Sequence, residues 1–384
     1  VKIMCRKLFC LALMAMTLGF LSCSDDSGET PPAVKNVWGI TYSHKNLGAY
    51  PDLFSKYWGY AYETSKNPDV GLRISGEYPD TRFFSFSVYN DMTGEVIDGL
   101  DDVHITPDKG SVNPYLATTE SKGNRFTVYL LKQGTDLSLF PGAKEGNVCY
   151  FTDDVECLTV CLRHYLGVDE FGGVSLPVVE GVNLRTGKTV TTPDAVVSRA
   201  TVMKQGNYEP VASDDNNEVP FILAPRGGAY FPNNSTDYLF CRTKLTTDQV
   251  LSFSFIPVPV PSRVEDYLGA RARYWSICIG SLQNTFSYSS FYDKMLSYPE
   301  NEKITVIVVS ANNPRLAEVK KAAADIPYSY VMEWDETIVD AHGKAIGDII
   351  AIMYRNILPD NTWEHSIKNM EPVVSYGDPY SMVT

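Results

Sequence analysis

The residues best suited to hold a ligand are two arginines that close apolar strands at matching places in the chain. Arg163 stands in the run LTVCLRHYL and Arg355 in IAIMYRNIL, and a short acidic turn follows each run. A guanidinium at such a position could clamp a carboxylate or phosphate in each half of the protein. The alternative, which we favour, is that each arginine pairs with an acid of its own turn, such as Asp169 or Asp360, and fastens the sheet edge.

Two aromatic clusters are candidates for sugar binding. The stretch YWGYAYE contains Trp58, Tyr60 and Tyr62, and YSSFYDKMLSY, in a loop-like region, contains Tyr288 and Tyr292. Aromatic faces with polar neighbours bind sugars by stacking, and a β-sandwich is a common scaffold for that work. The alternative, which we favour, is that these rings are core and rim residues, because tyrosine is amphipathic and often half-buried.

Catalytic motifs are absent from the sequence. It contains no Gly-x-Ser-x-Gly elbow, no glycine-rich phosphate loop and no His-Glu-x-x-His helix. Among the five histidines, His164 is best placed for catalysis, but a structural role is the stronger expectation. Paired acids would suit glycan hydrolysis, yet the sequence places no two of them across a cleft. The candidate acids are Asp101, Asp102, Asp108, Asp153, Asp154, Glu333, Asp335 and Glu336.

Metal and cofactor sites are not expected. The histidines are scattered and no Cys-x-x-Cys pair occurs, so a structural zinc site is unsupported. The acidic run ASDDNNE supports only a weak calcium hypothesis. Cys157 and Cys161 are about 13 Å apart if they share a strand, too far for a disulfide, so we expect small core residues there. The pairing of the remaining cysteines is left open for Cys149, Cys157, Cys161, Cys241 and Cys278.

The N-terminal segment, residues 1–22, is typical of an export signal. A basic start is followed by a run of apolar residues too short to span a membrane, and Ser22-Cys23 ends it. A cysteine directly after Leu-Ser resembles the lipobox of bacterial lipoproteins, which implies that Cys23 is lipidated and becomes the first residue of the mature chain. An ordinary secretory signal with a chance cysteine is the alternative.

The segment 23–35 has the composition of a solvated tether, with no apolar periodicity and a Pro-Pro pair. Its acids, directly after Cys23, resemble the surface-export signals of lipoproteins in one large phylum of Gram-negative anaerobes. We therefore expect an outer-membrane protein, lipid-anchored and exposed on the cell surface, with the membrane as partner. The formal net charge of −13 argues against a nucleic-acid partner.

Short runs of β-branched and aromatic residues dominate the rest of the chain and predict a mainly β protein. RFFS in the first half is echoed by RYWS in the second, RFTV by KITV, and LTVCLRHYL by IAIMYRNIL. These matches predict an internal duplication into two similar β-sandwiches with a few short helices. We place the first sandwich at 36–195, a connector at 196–236 and the second sandwich at 237–384. Helices are expected within 49–64, 314–326 and 361–370.

The motifs RISGEYPDTRFFSFSVYND, YFPNNSTDYL and ARYWSICIG resemble an uncharacterised family of secreted or lipid-anchored bacterial proteins with paired jelly-roll-like domains. The resemblance covers most of residues 55–372 and implies a fold but no catalytic residues. We expect a non-catalytic surface protein that binds a glycan or small molecule. The alternatives are an extracellular glycan hydrolase with paired carboxylates and a structural or adhesive surface component.

Overall fold

The computed structural model describes residues 37–42, 50–116, 123–198, 218–224, 231–339, 343 and 345–377, all of which belong to one compact unit. The predicted signal segment, Cys23 and the predicted tether lie outside the described residues, as does the acidic run ASDDNNE. The described chain is mainly β, as the sequence predicts, and its strands form four five-stranded sheets.

The first ten strands build a first sandwich of two sheets. Its first inner sheet has the order β1-β2-β8-β4-β5, and its first outer sheet has the order β10-β9-β3-β6-β7. The strands are β1 (Ile40–Tyr42), β2 (Ser55–Glu63), β3 (Val70–Glu77), β4 (Phe83–Asn90), β5 (Val96–Asp101), β6 (Arg125–Lys132), β7 (Val148–Phe151), β8 (Cys157–Tyr165), β9 (Val178–Asn183) and β10 (Thr189–Val190).

The other ten strands build a second sandwich. Its second inner sheet has the order β12-β13-β19-β15-β16, and its second outer sheet has the order β11-β20-β14-β17-β18. The strands are β11 (Glu218–Pro220), β12 (Ile222–Leu223), β13 (Thr236–Lys244), β14 (Val250–Phe255), β15 (Tyr274–Ser281), β16 (Ser287–Tyr292), β17 (Ile304–Ser310), β18 (Ser329–Trp334), β19 (Ile349–Ile357) and β20 (Val373–Tyr376). An α-helix, α1 (Leu316–Ala324), joins β17 to β18.

The two sandwiches repeat the same strand order except at one edge of the outer sheets, where β10 is the last strand of the first half and β11 is the first strand of the second half. The central strand of the first inner sheet, β8, lies between β2 and β4, and the central strand of the second, β19, lies between β13 and β15. Each outer sheet ends in a parallel pair, β6 with β7 or β17 with β18. This is the arrangement that an internal duplication predicts. Strands β11 and β12 lie inside the predicted connector, 196–236, and pair with the second sandwich. The domain limits stay a prediction.

Burial patterns explain why the inner sheets read as nearly continuous apolar runs. In β3 of an outer sheet, Leu72 and Ile74 face the core, whereas Arg73 between them points outward and pairs with Glu180 at 2.8 Å. In β8 every residue is buried. A strand is buried on both faces only if both faces of its sheet are covered.

The second cover of each inner sheet is the other inner sheet. One apolar cluster joins Tyr57, Phe83 and Tyr165 of the first sandwich to Tyr274 and Ile357 of the second. Each sandwich also has its own core between its inner and outer sheets. The four sheets are therefore layered in the order outer, inner, inner, outer, and the contact between the inner sheets is a third core.

Three local expectations are wrong. Residues 55–63, inside the expected helix at 49–64, form β2, because Trp58, Tyr60 and Tyr62 recur at the period of a strand and fill one core. The segment 361–370 forms successive turns with hydrogen bonds three residues apart. The region YSSFYDKMLSY, expected to be loop-like, belongs to strand β16 as far as Tyr292, and turns follow that strand. The helix expected within 314–326 is confirmed as α1.

The cysteines of the described residues are buried. Cys149, Cys161, Cys241 and Cys278 are free thiols, and the Sγ of Cys157 lies 3.7 Å from Asp91 Oδ2, to which it can donate. Cys157 and Cys161 are thus small interior residues of β8, as their spacing predicts.

Candidate functional site between the two sandwiches

Arg163 and Arg355, the predicted ligand-binding arginines, lie in the contact between the inner sheets. Arg163 on β8 is opposite Ser85 of β4, and Arg355 on β19 is opposite Ser276 of β15, so the two hold equivalent places. They are only 4% and 2% exposed. A ligand in solution could reach neither guanidinium without a separation of the sandwiches.

Each arginine binds a backbone carbonyl of the other half. Arg163 Nη2 donates to the Phe231 carbonyl at 2.9 Å, and Arg355 Nη2 donates to the Tyr50 carbonyl at 2.9 Å. Tyr50 and Phe231 are themselves equivalent, since each precedes the second strand of its inner sheet and has a positive φ, 49° and 50°. Residues other than glycine seldom adopt this backbone conformation, so the arginines contribute to holding two strained turns.

The expected pairing of each arginine with an acid of its own turn is wrong. Asp169 Oδ1 accepts the backbone N–H groups of Phe171 and Gly173, both at 2.9 Å, and Asp360 pairs with Arg271 at 2.5 Å. Both acids cap turns at the sandwich surface, whereas the arginine side chains are buried between the inner sheets.

Aromatic rings replace much of the water around the two guanidinium groups. Arg163 lies over the rings of Tyr57 and Tyr89, each 5.5 Å from the ring centre, and Arg355 lies over Tyr238 at 5.8 Å. Arg163 Nη1 also donates to Ser87 Oγ at 2.7 Å. Cation–π contacts stabilise a cation most where water is excluded.

A second reciprocal set joins the start of β4 to the start of β15. Arg82 Nε donates to the Arg273 carbonyl at 3.0 Å, and Arg273 Nη1 donates to the Arg82 carbonyl at 3.3 Å. Arg82 also pairs with Asp293 at 2.7 Å, and Arg273 pairs with Asp102 at 3.3 Å. Each arginine thus reaches across the contact to the backbone and the acid of the other half.

The two acids have equivalent second contacts. Asp102 Oδ2 accepts the backbone N–H of Phe84 at 3.0 Å, and Asp293 Oδ2 accepts that of Trp275 at 3.3 Å. Burial raises the pKa of Asp102 to about 7 despite the opposing attraction of Arg273, and burial likewise raises the pKa of Asp293. Perturbed acids often mark catalytic sites. Here both are buried in ion pairs that join the sandwiches.

Asp52 breaks the symmetry of the contact. Its Oδ2 accepts hydrogen bonds from Tyr274 Oη at 2.9 Å and Ser276 Oγ at 2.5 Å, and it lies 3.7 Å from Arg355 Nη1. The equivalent residue of the second half is Asn233, which is also buried. Among the described residues, Arg163 has no carboxylate at ion-pair distance, so the two arginines have different electrostatic surroundings.

The predicted aromatic residues are divided between three places. Trp58, Tyr60 and Tyr62 point into the core of the first sandwich and are at most 2% exposed. Tyr288 packs on the second core, where its ring meets Trp334 edge-on at 5.6 Å. Tyr292 lies at the contact between the inner sheets and stacks on Tyr274 at 6.0 Å. The structure brings Tyr292 near the arginine contact and leaves the other four rings in separate cores.

His164 lies one residue beyond Arg163 on the opposite face of β8. It is 5% exposed, and its ring packs against Trp58 at 4.9 Å and Phe84 at 6.1 Å. Burial lowers its pKa to about 3, so the imidazole is neutral at physiological pH. Its Nδ1 has no hydrogen-bond partner among the described residues.

Sequence reasoning gave no role in this contact to Arg82, Asp102, Arg273, Asp293 and Asp52, and it considered Asp102 only as a candidate acid for hydrolysis. A signal for four of them existed. The echo of RFFS by RYWS begins with Arg82 and Arg273, and in each half an aspartate follows its arginine at the same distance along the chain. Equal spacing in both copies was the mark of a paired role.

Within the described residues, no group of three or more His, Cys, Asp or Glu side chains is arranged to hold a metal ion. Nor does that part of the chain contain a helix with the length and apolar character needed to span a membrane.

No family model and no curated protein matches the sequence. Among solved structures, the chain is similar to an uncharacterized protein from Burkholderia cenocepacia, with a TM-score of 0.51 and 11% identity, over 91% of this chain and 84% of that one. It is also similar to a protein from Vibrio parahaemolyticus, with a TM-score of 0.41 and 10% identity, over 85% of this chain and 90% of that one. The first likeness shows the fold alone, and it agrees with the expected family of uncharacterised bacterial proteins.

Proposed function

We propose that the protein is a lipid-anchored, non-catalytic protein of the bacterial outer surface whose two sandwiches act as one rigid body. The observation that carries the rigid, non-catalytic part is the reciprocal contact between the inner sheets. It engages all four buried arginines of that contact, Arg82, Arg163, Arg273 and Arg355, with groups of the opposite half. Anchoring rests on the lipobox-like sequence that ends at Cys23.

The acids considered for hydrolysis have structural partners, which favours the non-catalytic proposal. Asp102 forms an ion pair with Arg273 at the contact between the sandwiches. Glu336, which follows Asp335, accepts hydrogen bonds from Ser310 Oγ at 2.6 Å and Thr247 Oγ1 at 2.8 Å. The remaining acids contact neighbouring side chains: Asp101 with His104, Asp108 with Thr127, Asp153 with Lys132, Asp154 with Thr152 and Glu333 with Lys320.

Surface binding of a glycan or small molecule remains part of the proposal. Tyr288 and Tyr292 are the predicted aromatic residues that keep partial exposure, and both lie on β16, an edge strand of the second inner sheet. An edge strand has no neighbouring strand on one side, so its backbone groups on that side are open to a ligand. The proposal includes membership of a family of secreted or lipid-anchored bacterial proteins with paired jelly-roll-like domains.

Anchoring is tested in cells with Cys23→Ala and Ser22→Ala. We expect the wild type and the serine variant to incorporate radiolabelled fatty acid and to sediment with outer membranes, and the cysteine variant to do neither. External protease should degrade the anchored protein in intact cells. Membrane retention of Cys23→Ala would contradict the lipid anchor, and full protease resistance would contradict surface exposure.

Ligand binding is tested with the soluble body, residues 35–384, on a glycan array, with Tyr288→Ala and Tyr292→Ala as variants. Binding that one of these variants weakens tenfold supports the tyrosine site. Uniform absence of binding contradicts the glycan proposal and leaves the structural or adhesive function. Release of reducing sugar from any bound glycan would contradict the non-catalytic proposal.

A further inference from the structure

The loop between β8 and β9, residues 166–177, exposes large apolar side chains on the first sandwich. Val168 is 66% exposed, Phe171 is 40% exposed, and Val178, directly after the loop, is 40% exposed. Exposed apolar residues scattered singly are ordinary, but several on one short segment mark a surface that contacts something apolar.

The second sandwich shows that the fold does not require this exposure. The equivalent segment follows β19, and the two segments start alike, with Leu166 and Leu358 both at positive φ. There the aromatic residue Trp363 is only 8% exposed and Ile367 is fully buried in the second core. The same turn therefore buries its apolar residues in one copy and presents them to solvent in the other.

The exposed loop is ordered by its own hydrogen bonds. Asp169 Oδ1 accepts hydrogen bonds from the backbone N–H groups of Phe171 and Gly173. The loop backbone also bonds to Asp80: Asp80 N donates to the Gly172 carbonyl at 2.7 Å, and Val168 N donates to the Asp80 carbonyl at 3.1 Å. The Phe171 ring stacks on the buried Trp58 at 5.8 Å. The apolar side chains are thus presented from a fixed platform.

Neighbouring segments add further exposed leucines. Tyr115 Oη donates to the Pro79 carbonyl at 2.6 Å, next to Asp80, and the Tyr115 ring stacks on Tyr267 at 6.5 Å. The residues after these two tyrosines, Leu116 and Leu268, are 42% and 66% exposed. Segments that pack beside the loop therefore also carry exposed apolar side chains.

The chain enters the folded body beside the same loop. Trp38 is buried in the first core, and its Nε1 donates to the carbonyl of Pro177, the last residue of the loop, at 2.6 Å. Only the segment 24–36 separates Cys23 from this point, a reach of at most about 45 Å when fully extended. An anchor at Cys23 would hold this end of the first sandwich within about 45 Å of the bilayer.

We propose that the β8–β9 loop docks on the lipid bilayer that carries the anchored protein, with Val168 and Phe171 at the acyl boundary. This inference rests on the proposed anchoring at Cys23. The tether raises the local concentration of the loop at the membrane, so a few apolar side chains suffice for docking. Asp169 and Glu170 are the charged residues of the loop, which favours neutral, zwitterionic lipid over anionic lipid.

The test attaches the mature chain to vesicles independently of native lipidation. The protein used is the chain 24–384 with a hexahistidine tag before Ser24, in the place of Cys23. The tag binds nickel-chelating lipid in phosphatidylcholine vesicles. An environment-sensitive fluorophore is placed at Val168→Cys, and at Val339→Cys as the control. Val339 is a suitable control because it is 57% exposed and lies before β19. The segment equivalent to the β8–β9 loop, which contains Trp363, follows β19. Nitroxide-labelled lipid then quenches fluorophores that contact the bilayer.

We expect at least twofold quenching at position 168 and little at position 339. Adding Phe171→Ser to the Val168 probe should reduce the quenching, and adding imidazole should abolish it by releasing the tag. Equal quenching at both positions, or none at 168, would overturn the docking proposal. Neither outcome depends on whether cells lipidate Cys23, so failure of the anchor and failure of the loop are distinguishable.

Discussion

Replacing Asp102 with asparagine should remove a specific pH dependence from the stability of the protein. Asp102 is fully buried, and burial raises its pKa from an ordinary value of 3.8 to about 7. The folded protein therefore binds a proton at this carboxyl between about pH 4 and 7, whereas the unfolded chain does not. Stability from this proton is present at low pH and is lost as the pH rises through 7.

The size of the effect follows from the pKa difference. Three pKa units correspond to about 4 kcal/mol as a ceiling, and a site of this kind contributes about 2 kcal/mol less at pH 7 than at pH 5. Asparagine keeps the shape of the side chain and can still accept the Phe84 N–H bond, but it does not titrate. Relative to the wild type, Asp102→Asn should gain about 2 kcal/mol between pH 5 and pH 7.

The measurement is urea unfolding of the soluble body at pH 5, 6 and 7, monitored by tryptophan fluorescence. Asp293→Asn, the equivalent change in the other half, should show the same sign, because burial also raises that pKa. Asp153→Asn is the control, since this residue is largely exposed beside Lys132 and should change little at any pH.

The reasoning fails if the free energies of wild type and Asp102→Asn run parallel from pH 5 to pH 7. Parallel curves would mean that the pair with Arg273 keeps Asp102 ionised in the folded protein throughout this range, as it is in the unfolded chain. In that case attraction outweighs burial at this site.

Three further predictions concern buried groups. Arg163→Met and Arg355→Met should each destabilise the protein by about 3 kcal/mol in urea unfolding, with the greater loss at Arg355, because its removal also leaves the Asp52 charge buried. His164→Phe should reduce the loss of stability on acidification below pH 6.5, because burial lowers the pKa of the native imidazole to about 3 and protonation favours unfolding; identical acid profiles for the variant and the wild type would contradict this. In the soluble body, residues 35–384, which lacks Cys5, Cys10 and Cys23, the native protein should not react with a thiol reagent and the denatured protein should expose five thiols, Cys149, Cys157, Cys161, Cys241 and Cys278; fast labelling of the native state would refute the buried assignment.

Local patterns of apolar residues predicted much of the fold. They failed where one pattern is compatible with both a helix and a strand. The runs around β4, β8, β15 and β19 predicted strands and their duplication, because β-branched and aromatic residues recur at strand spacing. The segment that became β2 was expected to be helical, since its rings are close enough along the chain for either structure. The core of the first sandwich decides for the strand.

The site was predictable only in part. The sequence identified Arg163 and Arg355 as an equivalent pair, and the same echo contained Arg82 and Arg273. It did not identify their partners, because the carbonyls of Tyr50 and Phe231 carry no side-chain signal and lie far away along the chain. Pairing with a nearby acid was the simplest local expectation, and the contact between halves replaces it.

By itself the sequence determined the mainly β class and the helix α1, and it predicted the duplication and a lipobox-like sequence that ends at Cys23. Each of these depends on residues that are neighbours in the chain or repeat along it. Only the tertiary structure decided which faces of the inner strands are covered, because strand periodicity separates two faces without saying what packs on either. That choice buries the arginines and the rings around Trp58, and leaves Val168 and Phe171 in solvent.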